Sequence, residues 1–65
     1  MKNNIKKLRT EKKISQQQLA DNLQVSRQTI NAIETGKFDP SLTLTIKITH
    51  FFNKSLEEIF IMEKQ

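Results

Sequence analysis

Two helix-start signals lie eleven residues apart, at Ser15 and Ser26, and leave almost no chain between the helices they open. Ser15-Gln16-Gln17-Gln18 has the S-x-x-Q form of a capping box, in which the serine side chain and the glutamine side chain each satisfy an otherwise orphaned N–H. Ile14 before the cap and Leu19 at the fourth helical position suit a hydrophobic staple. Ser26 repeats the pattern, with Val25 before it and Ile30 after it. Leu19, Ala20 and Leu23 share one face of the first of these helices; Ile30, Ile33 and Glu34 share one face of the second. Gly36 stands just past the end, where a left-handed residue commonly stops a helix. The spacing predicts helices over about 16–23 and 27–34, joined only by Gln24, Val25 and Ser26. A joint that short forces the two helices to cross sharply.

The rest of the chain reads as three further helices. Ile5 and Leu8 predict a first helix over about 4–12, capped by Asn3 or Asn4. Asp39-Pro40-Ser41 is a turn whose serine caps a fourth helix, about 42–52. Leu44, Ile48, Phe51 and Phe52 form its apolar stripe, Leu42 and Ile46 are read as extending it, and Thr43, Lys47 and His50 lie on the polar side. A face this wide suits a central helix or one that also meets a partner. Asn53 can end it, and Ser55-Leu56-Glu57-Glu58 is a second capping box, opening a short fifth helix to about Phe60. Ile61, Met62 and Glu63 either continue that helix or form a brief strand. The expectation is an all-α, five-helix domain spanning residues 1–65, with a short terminal strand pair as the one possible addition.

A chain of 65 residues buries only about 60% of its surface on folding and is marginal without a staple. With no cysteine and one histidine, disulfides and a structural zinc site are not expected, nor is any cofactor. Oligomerisation is the remaining device, and freedom from cysteine suits a reducing cytoplasm. No apolar run approaches the ~20 residues of a membrane span, and no apolar segment follows the N-terminal lysines as in a signal peptide. Nothing combines a nucleophile with a base, and His50 reads as a solvated or capping residue, so no enzyme is expected. The net charge of +4 is unevenly spread: Lys2, Lys6, Lys7, Arg9, Lys12 and Lys13 precede an acidic end carrying Glu57, Glu58 and Glu63. The basic end suits phosphates, although a lysine-rich face can also be merely solvated.

Five fragments, taken in order, resemble the Cro and lambda-repressor type of helix-turn-helix regulators, the XRE family. They are N-I-x-x-L-R at 4–9, S-Q-x-x-L-A at 15–20, V-S-R-Q-T-I at 25–30, I-E-x-G at 33–36 and P-S-L at 40–42. The likeness runs to about Phe60 and is strongest with short stand-alone members that carry no separate effector domain. It implies a homodimeric regulator, a repressor by family precedent, that binds double-stranded DNA at a near-palindromic operator. It also implies that helix three lies in the major groove, presenting Ser26, Arg27, Gln28, Asn31 and Ala32 to base edges. Arginine suits guanine, and glutamine or asparagine suits adenine. Gln16, Gln17, Thr29 and Lys37 are the implied phosphate contacts, Lys37 with the backbone N–H groups near Gly36.

Arg9 and Glu34 each sit four residues after an isoleucine and so point inward, where a charge is costly unless paired. The resemblance implies that they form a salt bridge joining helices one and three; the alternative places Arg9 on the phosphate-binding surface. Gln24 holds a turn position where many such units have glycine, and its backbone is expected to be left-handed. Leu56, Ile59, Phe60 and Ile61 exceed what a short last helix needs and are the expected dimer surface. The same residues would serve an antitoxin-like or adaptor module that binds a different protein.

Overall fold

The computed structural model describes residues 1–62. Its elements follow in the order β1 (Lys2–Asn3), α1 (Ile5–Glu11), α2 (Gln16–Leu23), α3 (Arg27–Glu34), α4 (Leu42–Phe52), α5 (Leu56–Ile59) and β2 (Phe60–Ile61). Glu63, read with Ile61 and Met62 as helix or strand, lies outside the described residues. The helices start where serine can accept a backbone hydrogen bond. Ser15 and Ser55 form complete capping boxes with Gln18 and Glu58, while Ser26 and Ser41 accept from the N–H of Thr29 and Leu44. The Ser55 N–H donates to Glu58 Oε1 at 2.9 Å and, with the Ser55 hydroxyl, holds the Glu58 carboxyl below its ordinary range. α1 divides the capping role. Asn4 takes the cap position without a side-chain capping bond, and Asn3 Oδ1 accepts the Ile5 N–H at 3.1 Å.

All five helices contribute apolar residues to one core. Leu19, Ala20 and Leu23 of α2 meet Ile30 and Ile33 of α3, and Leu44, Ile48 and Phe52 of α4 complete the centre. Ile5 from α1 and Ile59 from α5 close it, with Ile14 and Val25 packed on its edge beside the two caps they precede. α4 departs from its predicted stripe: Leu42 is 77% and Ile46 48% exposed. At about 100° per residue both stand roughly 160° away from Leu44, on the far side of the helix, so they cannot extend its buried face.

The terminal segments form an antiparallel pair, with Lys2 opposite Ile61 and Asn3 opposite Phe60. The Asn4 N–H continues the ladder to the Ile59 carbonyl at 2.8 Å, and the Asn4 side chain donates to the Glu58 carbonyl. Asn3 Nδ2 reaches the carbonyl of Ile33 at 2.8 Å, so the strand pair is also tied to the end of α3. Among the described residues no helix is long and apolar enough to cross a membrane.

Candidate nucleic-acid interface

α2 ends at Gln24, whose backbone is left-handed at φ 61°, ψ 42°. That single residue reverses the chain, so that Val25 donates back to Ala20 O at 3.0 Å and Ser26 starts α3 immediately. Lys47 Nζ from α4 reaches Gln24 Oε1 at 3.3 Å, a brace on the turn that sequence reasoning missed. With Ile30 and Ile33 buried against α2, the opposite side of α3 is turned outward. Arg27, Gln28 and Asn31 are exposed there, and Ala32 is half-buried. Ser26 is exposed too, but its hydroxyl accepts from the Thr29 N–H at 3.1 Å and pairs with Thr29 Oγ1 at 2.9 Å. Its first task is to hold the start of the helix.

Behind that face lies a continuous chain of polar bonds. Arg9 Nε donates to Glu34 Oε2 at 2.7 Å and Arg9 Nη2 to Glu34 Oε1 at 3.2 Å, with the two side chains 12% and 3% exposed. Arg9 Nη1 also bonds the Ile14 carbonyl, so α1, the loop before α2 and α3 meet at one guanidinium. Gln16 Nε2 donates to Glu34 Oε1 at 3.0 Å and to Asn31 Oδ1 at 3.2 Å. Both hydrogens of that amide are therefore directed at protein atoms.

The polar groups beside α2 and α3 are differently disposed. Gln17 Nε2 is bonded to Asp21 Oδ1 at 2.8 Å, one turn along its own helix. The first-turn N–H groups of Gln16 and Gln17 have no helical acceptor and lie at the positive end of α2. The backbone N–H groups near Gly36 already have partners within the chain. Gly36 donates to Ile33 O at 3.0 Å, and Lys37 and Phe38 both donate to Ala32 O, because these N–H groups close the end of α3. Lys37 is left with its exposed ammonium. At the basic N-terminus, Arg9 is internal, and Lys12 Nζ lies 5.8 Å from the centre of the Phe51 ring.

The C-terminal apolar residues divide into two sets. Ile59 and Phe60 are buried at 0% and 7% exposure, so their side chains pack into the core of this chain. Leu56 and Ile61 are exposed, as is Met62. Leu56, Phe60 and Met62 border a cleft of about 180 Å³ with Met1, Pro40 and Thr45. Among the described residues no three His, Cys, Asp or Glu side chains come together as a metal site would need.

Known proteins resemble this chain in sequence. Residues 5–59 match the family model described as helix-turn-helix. An uncharacterized HTH-type transcriptional regulator of Methanocaldococcus jannaschii is 54% identical over 63 residues, covering 97% of this chain and 96% of that one. The HTH-type transcriptional regulator YgzD of Bacillus subtilis is 42% identical over 65 residues, covering all of this chain and 98% of its own. An HTH-type transcriptional activator of Enterococcus faecalis, BcrR, is 37% identical over 60 residues, which are 92% of this chain but 29% of that protein. The matched span takes in α1 through α5, and the chain belongs to the XRE-type helix-turn-helix family of transcriptional regulators.

Proposed function

We propose that the chain acts as a homodimer on double-stranded DNA, reads a near-palindromic operator through α3, and represses transcription by occupying it. The observation that carries this reading is the outward face of α3. Arg27, Gln28 and Asn31 stand exposed on a helix whose other side is fixed by Ile30, Ile33 and the bonds to Glu34. Such side chains offer the donors and acceptors that base edges in the major groove require, Arg27 for guanine and Gln28 for adenine, with Ser26 and Ala32 alongside. The N–H groups of Gln16 and Gln17, the Thr29 hydroxyl and the Lys37 ammonium are the groups for phosphates.

Dimerisation is supported by Leu56, Ile61 and Met62, three large apolar side chains left in water, two of which, Leu56 and Met62, border one cleft. Two copies joined there would read two half-sites with their recognition helices about 34 Å apart. Repression needs only that the site be covered, which a DNA-binding domain does by itself. BcrR, named an activator, has most of its length outside the matched region. No catalytic step enters this reading, and it places the protein in the cytoplasm with the DNA it regulates. Selection from random duplexes by the purified protein should recover two inverted half-sites centred about one helical turn apart. A recovered pool without any shared sequence would refute the reading.

A further inference from the structure

Resting on that reading of α3, we propose that Glu34 is a specificity-determining residue: it fixes the direction of the Asn31 side-chain amide, through Gln16, so that Asn31 can satisfy only one order of donor and acceptor on a base edge. A primary amide is nearly symmetric in shape, and an exposed asparagine can turn over to present either end. The chain of bonds behind α3 removes that freedom. The Glu34 side chain, 3% exposed, accepts from Arg9 on both of its oxygens. Gln16, 3.0 Å from Oε1, must therefore turn its NH2 group to it. The second hydrogen of the same group points to Asn31 at 3.2 Å, so Asn31 must answer with its oxygen. A flipped Asn31 would set NH2 against NH2, and a flipped Gln16 would set an oxygen against a carboxylate.

Asn31 therefore meets the groove with its acceptor end on the Gln16 side and its donor end away from it. Adenine offers an acceptor and a donor in one order along the edge, guanine offers two acceptors, and reversing a pair reverses the order. A free amide would accommodate several of these edges by turning over; a fixed one favours a single base in a single strand. Gln16 is on this account a positioning residue for base reading, and the acid that orients it lies too deep to touch DNA.

The test measures binding of wild type and variants to a panel of duplexes in which each pair of the selected half-site is changed in turn. Asn31→Ala identifies the pair Asn31 reads, as the one whose preference disappears. Gln16→Leu, which leaves Arg9 and Glu34 joined, should cut the preference at that same pair by roughly fivefold or more and leave the ratios at other pairs intact. A Gln16→Leu variant that weakens every duplex equally would overturn the proposal, as would an Asn31→Ala variant that changes no preference. A wild type that prefers no duplex at all would instead refute the DNA-reading function itself, and the inference with it. In the DNA-free protein, Glu34→Gln supplies an independent reading. It replaces the acceptor by a group that can also donate, so the side-chain amide signals of both Gln16 and Asn31 should shift in the ¹H–¹⁵N spectrum. An Asn31 signal that stays in place while that of Gln16 moves would break the relay.

Discussion

Gln24 holds φ 61°, a conformation in which an L side chain crowds the following carbonyl oxygen at a cost of about 1–2 kcal/mol. Lys13 at φ 58° and Asn53 at φ 52° share it. Gln24→Gly and Lys13→Gly should each stabilise the fold by about 0.5–1 kcal/mol in urea melts, after glycine's greater freedom in the unfolded chain is set against the relief. Asn53→Gly should change little, because asparagine tolerates this conformation. A destabilised Gln24→Gly would show that the bond to Lys47 outweighs the strain. The Arg9–Glu34 pair makes a different demand. Arg9→Met strands a buried carboxylate and should cost about 3 kcal/mol. Glu34→Leu should cost less, since Arg9 keeps the Ile14 carbonyl and is the more exposed partner. The double variant should recover most of the loss, and thermodynamic cycles that come out additive would mean that the two charges are not coupled in solution.

At the scale of the helix, the proposed function separates affinity from recognition around α3. Lys37, an exposed ammonium beyond its end, should act on phosphate alone: Lys37→Ala should weaken all duplexes alike and lower the salt slope by about one unit. Arg27→Ala should cost about 1–3 kcal/mol on the selected site and much less on random DNA. Equal losses on both would remove α3 from the groove. α2 and α3 were legible in the chain because their starts are written locally: a serine, its partner three residues on, and an apolar residue on either side. Less was legible wherever a group's partner is distant. The N–H groups of Gly36 and Lys37 look available in sequence, yet the end of α3 uses them. Leu42 and Ile46 are apolar and near the stripe in sequence but turn away from it. Sequence analysis placed Gln16 at a phosphate and Arg9 and Glu34 in a pair, but the bonds linking all three to Asn31 depend on how α1, α2 and α3 approach one another.

For the whole molecule the open question is what covers Leu56, Ile61 and Met62. Hydrophobicity said that the C-terminal end must be buried against something, and could not say in which chain; Ile59 and Phe60 are spent within this one. The useful probes are accordingly the exposed residues. Leu56→Glu combined with Met62→Lys should leave a folded monomer, because neither side chain enters the core. Sedimentation should show wild type as a dimer at micromolar concentration and the variant as a monomer. The variant should lose tight binding to the full operator while holding a single half-site as weakly as before. A variant that sediments as wild type would move the interface elsewhere.

The strand pair that joins Lys2 to Ile61 sets the order in which the chain can fold. Closing a loop of that length costs roughly 3–4 kcal/mol before any fixed term, and the pair returns only two short rungs and the bonds of Asn3 and Asn4. The contacts between α2 and α3 close across a few residues and can form first. The clasp then belongs to the descending side of the barrier. Asn3→Ala, which removes the bonds to Ile5 and Ile33, should leave the refolding rate nearly unchanged and make the protein open several-fold faster, visible as a shift of the unfolding limb alone in a stopped-flow chevron. The tie between the two ends is thus a brake on escape from the native state, with little part in reaching it.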